Sequence, residues 1–204
     1  MIEKVFPVGG FVLVGGQSQR MGRDKALLEL RGKPLFLRTV ELLRPHVAEV
    51  KLLGPPDRYA HFGIPVLPDR FSGRGPLAAL CTGLENSPYE WNVFVACDLP
   101  FLEGRFLEFL LRQAFACSLE AVVPQTAQGW QPLCAAYHRH CLPTMKEAIE
   151  ETDAGIVDVL TTLRVEVLGP EALAGFAFIE RMFKNVNTEK DWKAVQRELE
   201  RKRE

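Results

Sequence analysis

The amino-acid sequence predicts an α/β protein with a mostly parallel, mixed β-sheet covered by helices. Three observations carry that expectation. Short apolar runs alternate with amphipathic stretches through the first half of the chain, the pattern of βαβ units. Residues Val93–Ala96 in WNVFVACDLPFL run without polar interruption, as strands covered on both faces do. The segment Gln128–Arg139 departs from the alternation, which predicts at least one antiparallel strand in the second half.

The elements follow in order. GFVLVGG reads as a short strand, Gly10–Val14, ended by Gly15 and Gly16. A polar, basic, glycine-punctuated stretch leads to Pro34, which opens a helix because its missing N–H is an orphan there. LFLRTVELLRPHV carries helical apolar spacing at Leu35, Val40, Leu43 and Val47. VKLLG and IPVLPD are the second and third strands. A helix is expected from about Pro76 to before Pro88, and another from about Glu103 to Ala116. AVVPQ is a buried strand. WQPLCAAYHR reads as one strand whose Pro132 favours an edge or a bulge. Helices are expected at Leu142–Glu151 and Ile156–Leu163, then the alternating strand RVEVLG. The last helix begins after Thr188, with Asp191 three residues on as an approximate capping box.

At 204 residues and 47% hydrophobic, the chain is long enough for one sizeable core and is read as one domain over 1–204. The 25 Lys and Arg against 26 Asp and Glu leave a net charge of −1. That balance offers no global attraction to nucleic acid or to an anionic membrane, and neither is an expected partner. No stretch approaches the roughly 20 apolar residues that a spanning helix needs. The five cysteines include no CxxC pair, so zinc-finger spacing is absent. The odd count, with no signal peptide at the N-terminus, predicts a reducing, cytoplasmic setting. Cys81, Cys97 and Cys134 sit in apolar runs and are read as core-packing residues.

Leu13–Lys25, LVGGQSQRMGRDK, carries the chemistry. A strand delivers the backbone to Gly15 and Gly16, whose N–H groups can approach a phosphate closely because no Cβ intervenes. Arg20, Arg23 and Lys25 supply charge against a polyanion, and Ser18 a hydroxyl donor. An exposed loop with ordinary surface cations is the competing reading. The coincidence of strand, glycine pair and three cations favours triphosphate binding. The spacing matches neither GxxxxGK[ST] nor GxGxxG. Asp98 directly follows the most apolar strand. In a parallel sheet ligands bind beyond the carboxyl ends of the strands, so a carboxylate there is placed to hold Mg²⁺. A turn Asp before Pro100 is the alternative. Asp69 ends another short strand and is a second candidate facing the ligand, with a plain turn as the competing reading. No Ser-His-Asp or Cys-His pair shows a catalytic pattern. His138 and His140 fit a surface or ligand-side position better than metal ligation.

LVGGQSQRMGRDKALLELRGKPL resembles the signature LxGGxSxRMGxDKxLLxxxGKPL of the molybdenum cofactor guanylyltransferases, the MobA-type enzymes. Pro68-Asp69, Gly75-Pro76-Leu77-Ala78, Cys97–Leu102 and Asn185-Val186-Asn187-Thr188 continue the resemblance in order across nearly the whole chain. The resemblance implies a three-layer α/β/α, Rossmann-like fold of the nucleotide-diphosphosugar-transferase kind. It implies that the terminal phosphate of molybdopterin attacks the α-phosphorus of GTP, with Mg²⁺, giving the guanine dinucleotide form and pyrophosphate. An anionic phosphate nucleophile needs no strong base, so Arg20, Lys25 and Asp98 act by positioning and charge neutralisation. Carried over by motif, Leu13, Val14, Gly15, Gly16, Ser18, Lys25, Asp69 and Asp98 are expected at GTP. Asp98 holds the metal, and Asn185 and Asn187 lie on the metal or pterin side. Molybdoenzymes or cofactor-delivery proteins are the implied further partners. The chain departs from the family at Leu52-Leu53-Gly54-Pro55, where an Asn often faces guanine, at Gln131, which stands for a His, and at Val14, which stands for an Ala. Two other functions compete: a related transferase using CTP or a sugar phosphate, and a nucleotide-binding homologue without catalysis.

Overall fold

The computed structural model describes residues 5–15, 23–68, 74–176 and 179–201. Its strands are β1 Phe6–Leu13, β2 Glu29–Leu30, β3 Lys33–Pro34, β4 Val47–Leu53, β5 Val66–Leu67, β6 Trp91–Ala96, β7 Ala121–Thr126, β8 Gly129–Trp130, β9 Cys134–His138 and β10 Val165–Leu168. Its α-helices are α1 Leu35–Leu43, α2 Pro56–Tyr59, α3 Gly75–Glu85, α4 Gly104–Ala116, α5 Leu142–Glu151, α6 Ile156–Thr162, α7 Pro170–Leu173, α8 Ile179–Met182 and α9 Glu189–Arg201.

The main sheet runs β10-β7-β9-β6-β1-β4-β5, with β8 paired to β7. Strand β1 lies parallel to both β4 and β6, β4 parallel to β5, and β7 parallel to β10. The exceptions are β9, antiparallel to β6 and β7, and β8, antiparallel to β7. The expected mixed, mostly parallel sheet is therefore present. The expected single strand over WQPLCAAYHR is two short ones. Pro132, which has no N–H for a ladder, falls between β8 and β9, and β9 is an interior strand rather than an edge.

Side chains leave the strands alternately to two cores. Val93 and Val95 of β6 join Phe36, Val40, Phe106 and Leu110 of α1 and α4 on one face. Phe94 joins Leu80, Leu84, Met145 and Leu160 of α3, α5 and α6 on the other. These are the three layers. A third, smaller core joins Leu30 and Leu35, beside the β2-β3 hairpin, to Phe101, Val186, Trp192 and Val195, and so docks α9. Cys81, Cys97, Cys134 and Cys141 are buried, and all five cysteines are free thiols.

Between sheet and α3 the fit is tight. A Cβ on Gly83 would lie 2.5 Å from Cε1 and 2.8 Å from Cζ of Phe94. Phe94 cannot retreat, being stacked on Phe11 at 4.9 Å and edge-on to Tyr137 at 5.7 Å. Gly83→Ala is therefore expected to destabilise the fold by about 1–3 kcal/mol through overpacking. Urea unfolding checks this: an unchanged midpoint would mean the layer spacing relaxes freely.

Candidate active site

Strand order reverses beside β1: the chain moves outward through β4 and β5, then returns to place β6 on the other side of β1. Ligands of open α/β sheets bind in the crevice at such a switch, beyond the carboxyl ends of the strands. The register makes this concrete. Leu13 is level with Ala96 on β6 and with Leu53 on β4. Gly15, Asp98 and Pro55 each follow two residues later, at the same edge of the sheet.

Leu13 and Val14 are buried at this edge, and Gly15 is exposed. The N–H groups of Val14 and Gly15 both donate to the Leu53 carbonyl, at 3.0 and 3.1 Å. The Gly15 amide, expected to meet phosphate, is thus engaged by the neighbouring strand. The sterically demanding glycine is Gly54. A Cβ there would stand 2.8 Å from Val14 Cγ2 and 2.9 Å from the Gly15 nitrogen. Gly54 lies in the Leu52–Pro55 region where the resemblance implied an Asn, and it sits at a close backbone approach of the β1 and β4 ends. Gly16, Ser18, Arg20 and Asp69, expected at the nucleotide, lie outside the described residues.

The described part of the site centres on Lys25, Asp98 and Asn187. Lys25 begins a 3₁₀ turn, Lys25–Leu27, whose start is capped by Asp24: Oδ1 accepts the Ala26 N–H at 3.1 Å. The Lys25 ammonium donates to Asn187 Oδ1 at 3.0 Å and lies 3.4 Å from Asp98 Oδ2. Two distant motifs are tied to the same point. Val186 N–H donates to the Asp98 carbonyl at 3.0 Å. Asp191 then fixes the entry to α9, accepting the Asn187 and Thr188 N–H groups at 3.1 and 2.8 Å and the Thr188 hydroxyl at 2.8 Å. Those bonds, the Thr188 hydroxyl first, hold the Asp191 carboxyl below the usual carboxylate range. The expected capping box is present. Arg23 adds a pair with Glu189 at 2.8 Å. Asn185 and Asn187 are exposed on either side of buried Val186.

Asp98 is electrostatically unusual. Burial pushes its pKa above the ordinary 3.8, and the nearby Lys25 charge only partly offsets this. Its Oδ1 is buried and has no hydrogen-bond partner among the described residues. Buried polar atoms are normally satisfied, and a carboxylate oxygen of this kind has the chemistry to coordinate a hard cation.

His138 and His140 fall elsewhere. His138 pairs with Trp91 at the start of β6, whereas Asp98 follows its end. The six residues of β6 separate them by about 17 Å of strand, with His138 half-buried and His140 exposed, so of the two expected placements the surface one is observed. Thiolate chemistry also has no place here: burial pushes the thiols of Cys81 and Cys141 up to about 12, and those of Cys97 and Cys134 higher. Asp24 and Tyr59 were not singled out from the sequence. Asp24 is a fixed position of the RMGxDK signature, but its motif gives no separate role for it, and a lone Tyr in a short segment gives no periodic or motif signal. The structure buries the Tyr59 side chain and sets its hydroxyl 2.7 Å from Asp24 Oδ2.

Comparison with known proteins agrees with this architecture. Residues 10–167 match the family described as the MobA-like NTP transferase domain. A probable molybdenum cofactor guanylyltransferase of Pelotomaculum thermopropionicum is 32% identical over 183 residues, 89% of this chain and 88% of that one. One from Nostoc sp. is 34% identical over 203 residues, 93% of this chain and 90% of that one. Among solved structures, molybdopterin-guanine dinucleotide biosynthesis protein A of Archaeoglobus fulgidus superposes with a TM-score of 0.82 at 24% identity, covering 95% of this chain and 100% of that one. A CMP:2-keto-3-deoxy-manno-octonic acid synthetase complexed with CTP shares the fold at a TM-score of 0.74 and 15% identity, covering 96% of this chain and 99% of that one. With the family model spanning most of the sheet and relatives above 30% identity along nearly the full length, the chain belongs to the MobA-like NTP transferase family.

Proposed function

We propose that this chain is a molybdenum cofactor guanylyltransferase, moving GMP from GTP to the terminal phosphate of molybdenum-bound molybdopterin and releasing pyrophosphate. The observation that carries the reading is the Asp98–Lys25–Asn187 cluster at the sheet switch, with Asp98 Oδ1 buried and without a hydrogen-bond partner among the described residues. The named relatives supply the acceptor and the base.

The donor set suits Mg²⁺. Among the described residues no three His, Cys, Asp or Glu side chains converge. Mg²⁺ is usually held by one or two carboxylates with waters and substrate phosphates, so Asp98 with a triphosphate is a sufficient set. When bound, the ion supplies Lewis-acid charge neutralisation at phosphate oxygens. The chain's own residues do the rest. Lys25 brings a point charge to the phosphates, where negative charge grows as pyrophosphate leaves. Asn187 steers the Lys25 ammonium, and α9 holds Asn187. The acceptor phosphate is already ionised, so no side chain is required to remove a proton. Arg20, Gly16, Ser18 and Asp69 complete the nucleotide side in this reading, Asn185 the acceptor side. The five free thiols fit work in a reducing compartment, and no helix among the described residues is long and apolar enough to cross a membrane. Molybdoenzymes and cofactor-delivery proteins are the proposed recipients of the product.

Thermal melting with GTP, CTP, ATP and UTP, each with and without Mg²⁺, tests the reading. GTP with Mg²⁺ at a hundred times its Kd should raise Tm by about 5–10 °C. A shift specific to CTP would move the assignment to a cytidylyl transferase. No shift with any nucleotide would sink the catalytic reading.

A further inference from the structure

Tyr59 is fully buried at the end of α2, its ring edge-on to Phe36 at 5.3 Å. A phenylalanine would satisfy that packing. The hydroxyl instead reaches two polar groups from different parts of the chain. It donates to Asp24 Oδ2 at 2.7 Å and lies 3.1 Å from the Val14 carbonyl oxygen. Val14 is where β1 gives way to the glycine-rich segment, and Asp24 is where that segment delivers Lys25. The other Asp24 oxygen caps the Lys25 turn through the Ala26 N–H. Arg58, next to Tyr59, adds a contact to Asp24 Oδ2 at 3.3 Å. One hydroxyl therefore joins the end of the nucleotide-binding strand to the carboxylate that starts the phosphate-lysine turn.

We propose that Tyr59 and Asp24 are positioning residues for nucleotide binding: together they clamp the two ends of the glycine-rich segment and hold the Lys25 turn in the conformation that meets the triphosphate. The proposal rests on the reading of Lys25 as a phosphate-binding group. Neither residue touches the reacting atoms. Burial, reinforced by the Asp24 carboxylate, keeps the Tyr59 hydroxyl protonated far above its ordinary range, so it donates at every working pH. Fixing the Asp24 carboxylate to a buried hydroxyl reduces the number of arrangements the Lys25 turn samples. Without the bond only a fraction of molecules present the turn correctly, and apparent affinity falls by that fraction. A saturating nucleotide restores the arrangement by binding it. KM should therefore rise while kcat holds.

Tyr59→Phe removes the hydroxyl and keeps the ring. The expected result is a KM for GTP raised about tenfold, a kcat within about twofold of the original, and a Tm lowered by only a few degrees. In nucleotide-free protein, hydrogen exchange at the Ala26 amide should accelerate about tenfold, while amides of β6 keep their protection. Asp24→Asn retains an acceptor for the Ala26 N–H but weakens the hydroxyl bond, and should give a smaller KM rise with the same selectivity. Unchanged KM together with unchanged Ala26 exchange overturns the clamp. A uniform loss of protection across the sheet, with kcat and KM both altered through a lowered Tm, also overturns it by showing general support. If the unaltered protein takes no GTP, the phosphate reading fails instead. Ala26 exchange in Tyr59→Phe, which needs no nucleotide, still decides the clamp.

Discussion

Asp98→Ala is expected to remove Mg²⁺-dependent turnover, lowering kcat by about 100- to 1,000-fold while leaving the protein folded. The loss is large because Asp98 is the described carboxylate at the sheet switch with an unsatisfied oxygen. The fold survives for the same reason: a group whose Oδ1 is buried without a hydrogen bond contributes little to stability and opposes folding when ionised. The sign can be worked out. The folded pKa lies above the unfolded 3.8, so the folded state holds the proton more tightly. Below the unfolded carboxylate range both states are protonated and there is no penalty. As pH rises through the folded pKa the penalty develops, and it is complete above that pKa. Asp98→Asn should accordingly melt no lower than the original protein at pH 7. Any advantage should disappear on acidification and shrink on addition of Mg²⁺ with GTP. Scanning calorimetry against pH, paired with GTP turnover, measures both halves. Undiminished activity in the Ala variant would refute the metal assignment.

Lys25→Ala has the second-largest expected effect, a fall in kcat/KM for GTP of about 100-fold, the scale of a lost charge-assisted phosphate contact. It carries a secondary signature. The Lys25 charge and hydrogen bond are the largest influences lowering the Asp98 pKa against burial. Without them the Asp98 carboxyl moves further up, and the acidic limb of the pH–kcat/KM profile should move up with it. A variant that loses affinity with no change in that limb would mean the two side chains work independently despite their 3.4 Å separation. Unchanged GTP kinetics would refute the role of Lys25 altogether.

The strands that organise the site were legible because their burial is written as uninterrupted apolar runs. β1, β6 and β7, with α3, α4 and α5, fall close to where periodicity and prolines place them. The place of Asp98 at the carboxyl end of β6 was legible because a long apolar run ends directly before it. Elements of two to four residues, such as β2, β3, α2, α7 and α8, are too short to show a period. Pro132 was visible but ambiguous: a break and a bulge read alike until the partner strands are known. Gly15 shows a different limit. Its missing Cβ suggested an amide open to phosphate, yet that amide is engaged by Leu53. The Tyr59 bond to Asp24 spans 35 residues, and no local pattern encodes it. The two placements open to the histidines could not be told apart because the direction of β9 is set by pairing, not by its own residues.

The contact between Lys25 and Asn187 bridges a separation of 162 residues. It forms only when α9 has docked through Trp192 and Val195 onto its small core. Residues 10–167, which match the family domain, contain the sheet but not Asn187. During synthesis the nucleotide edge can thus take shape well before the residue that steers its lysine has left the ribosome. Contacts of such long range close late in folding. Completion of the candidate site is therefore coupled to synthesis and docking of α9, and a molecule lacking α9 would have the sheet edge without the Asn187 contact to Lys25.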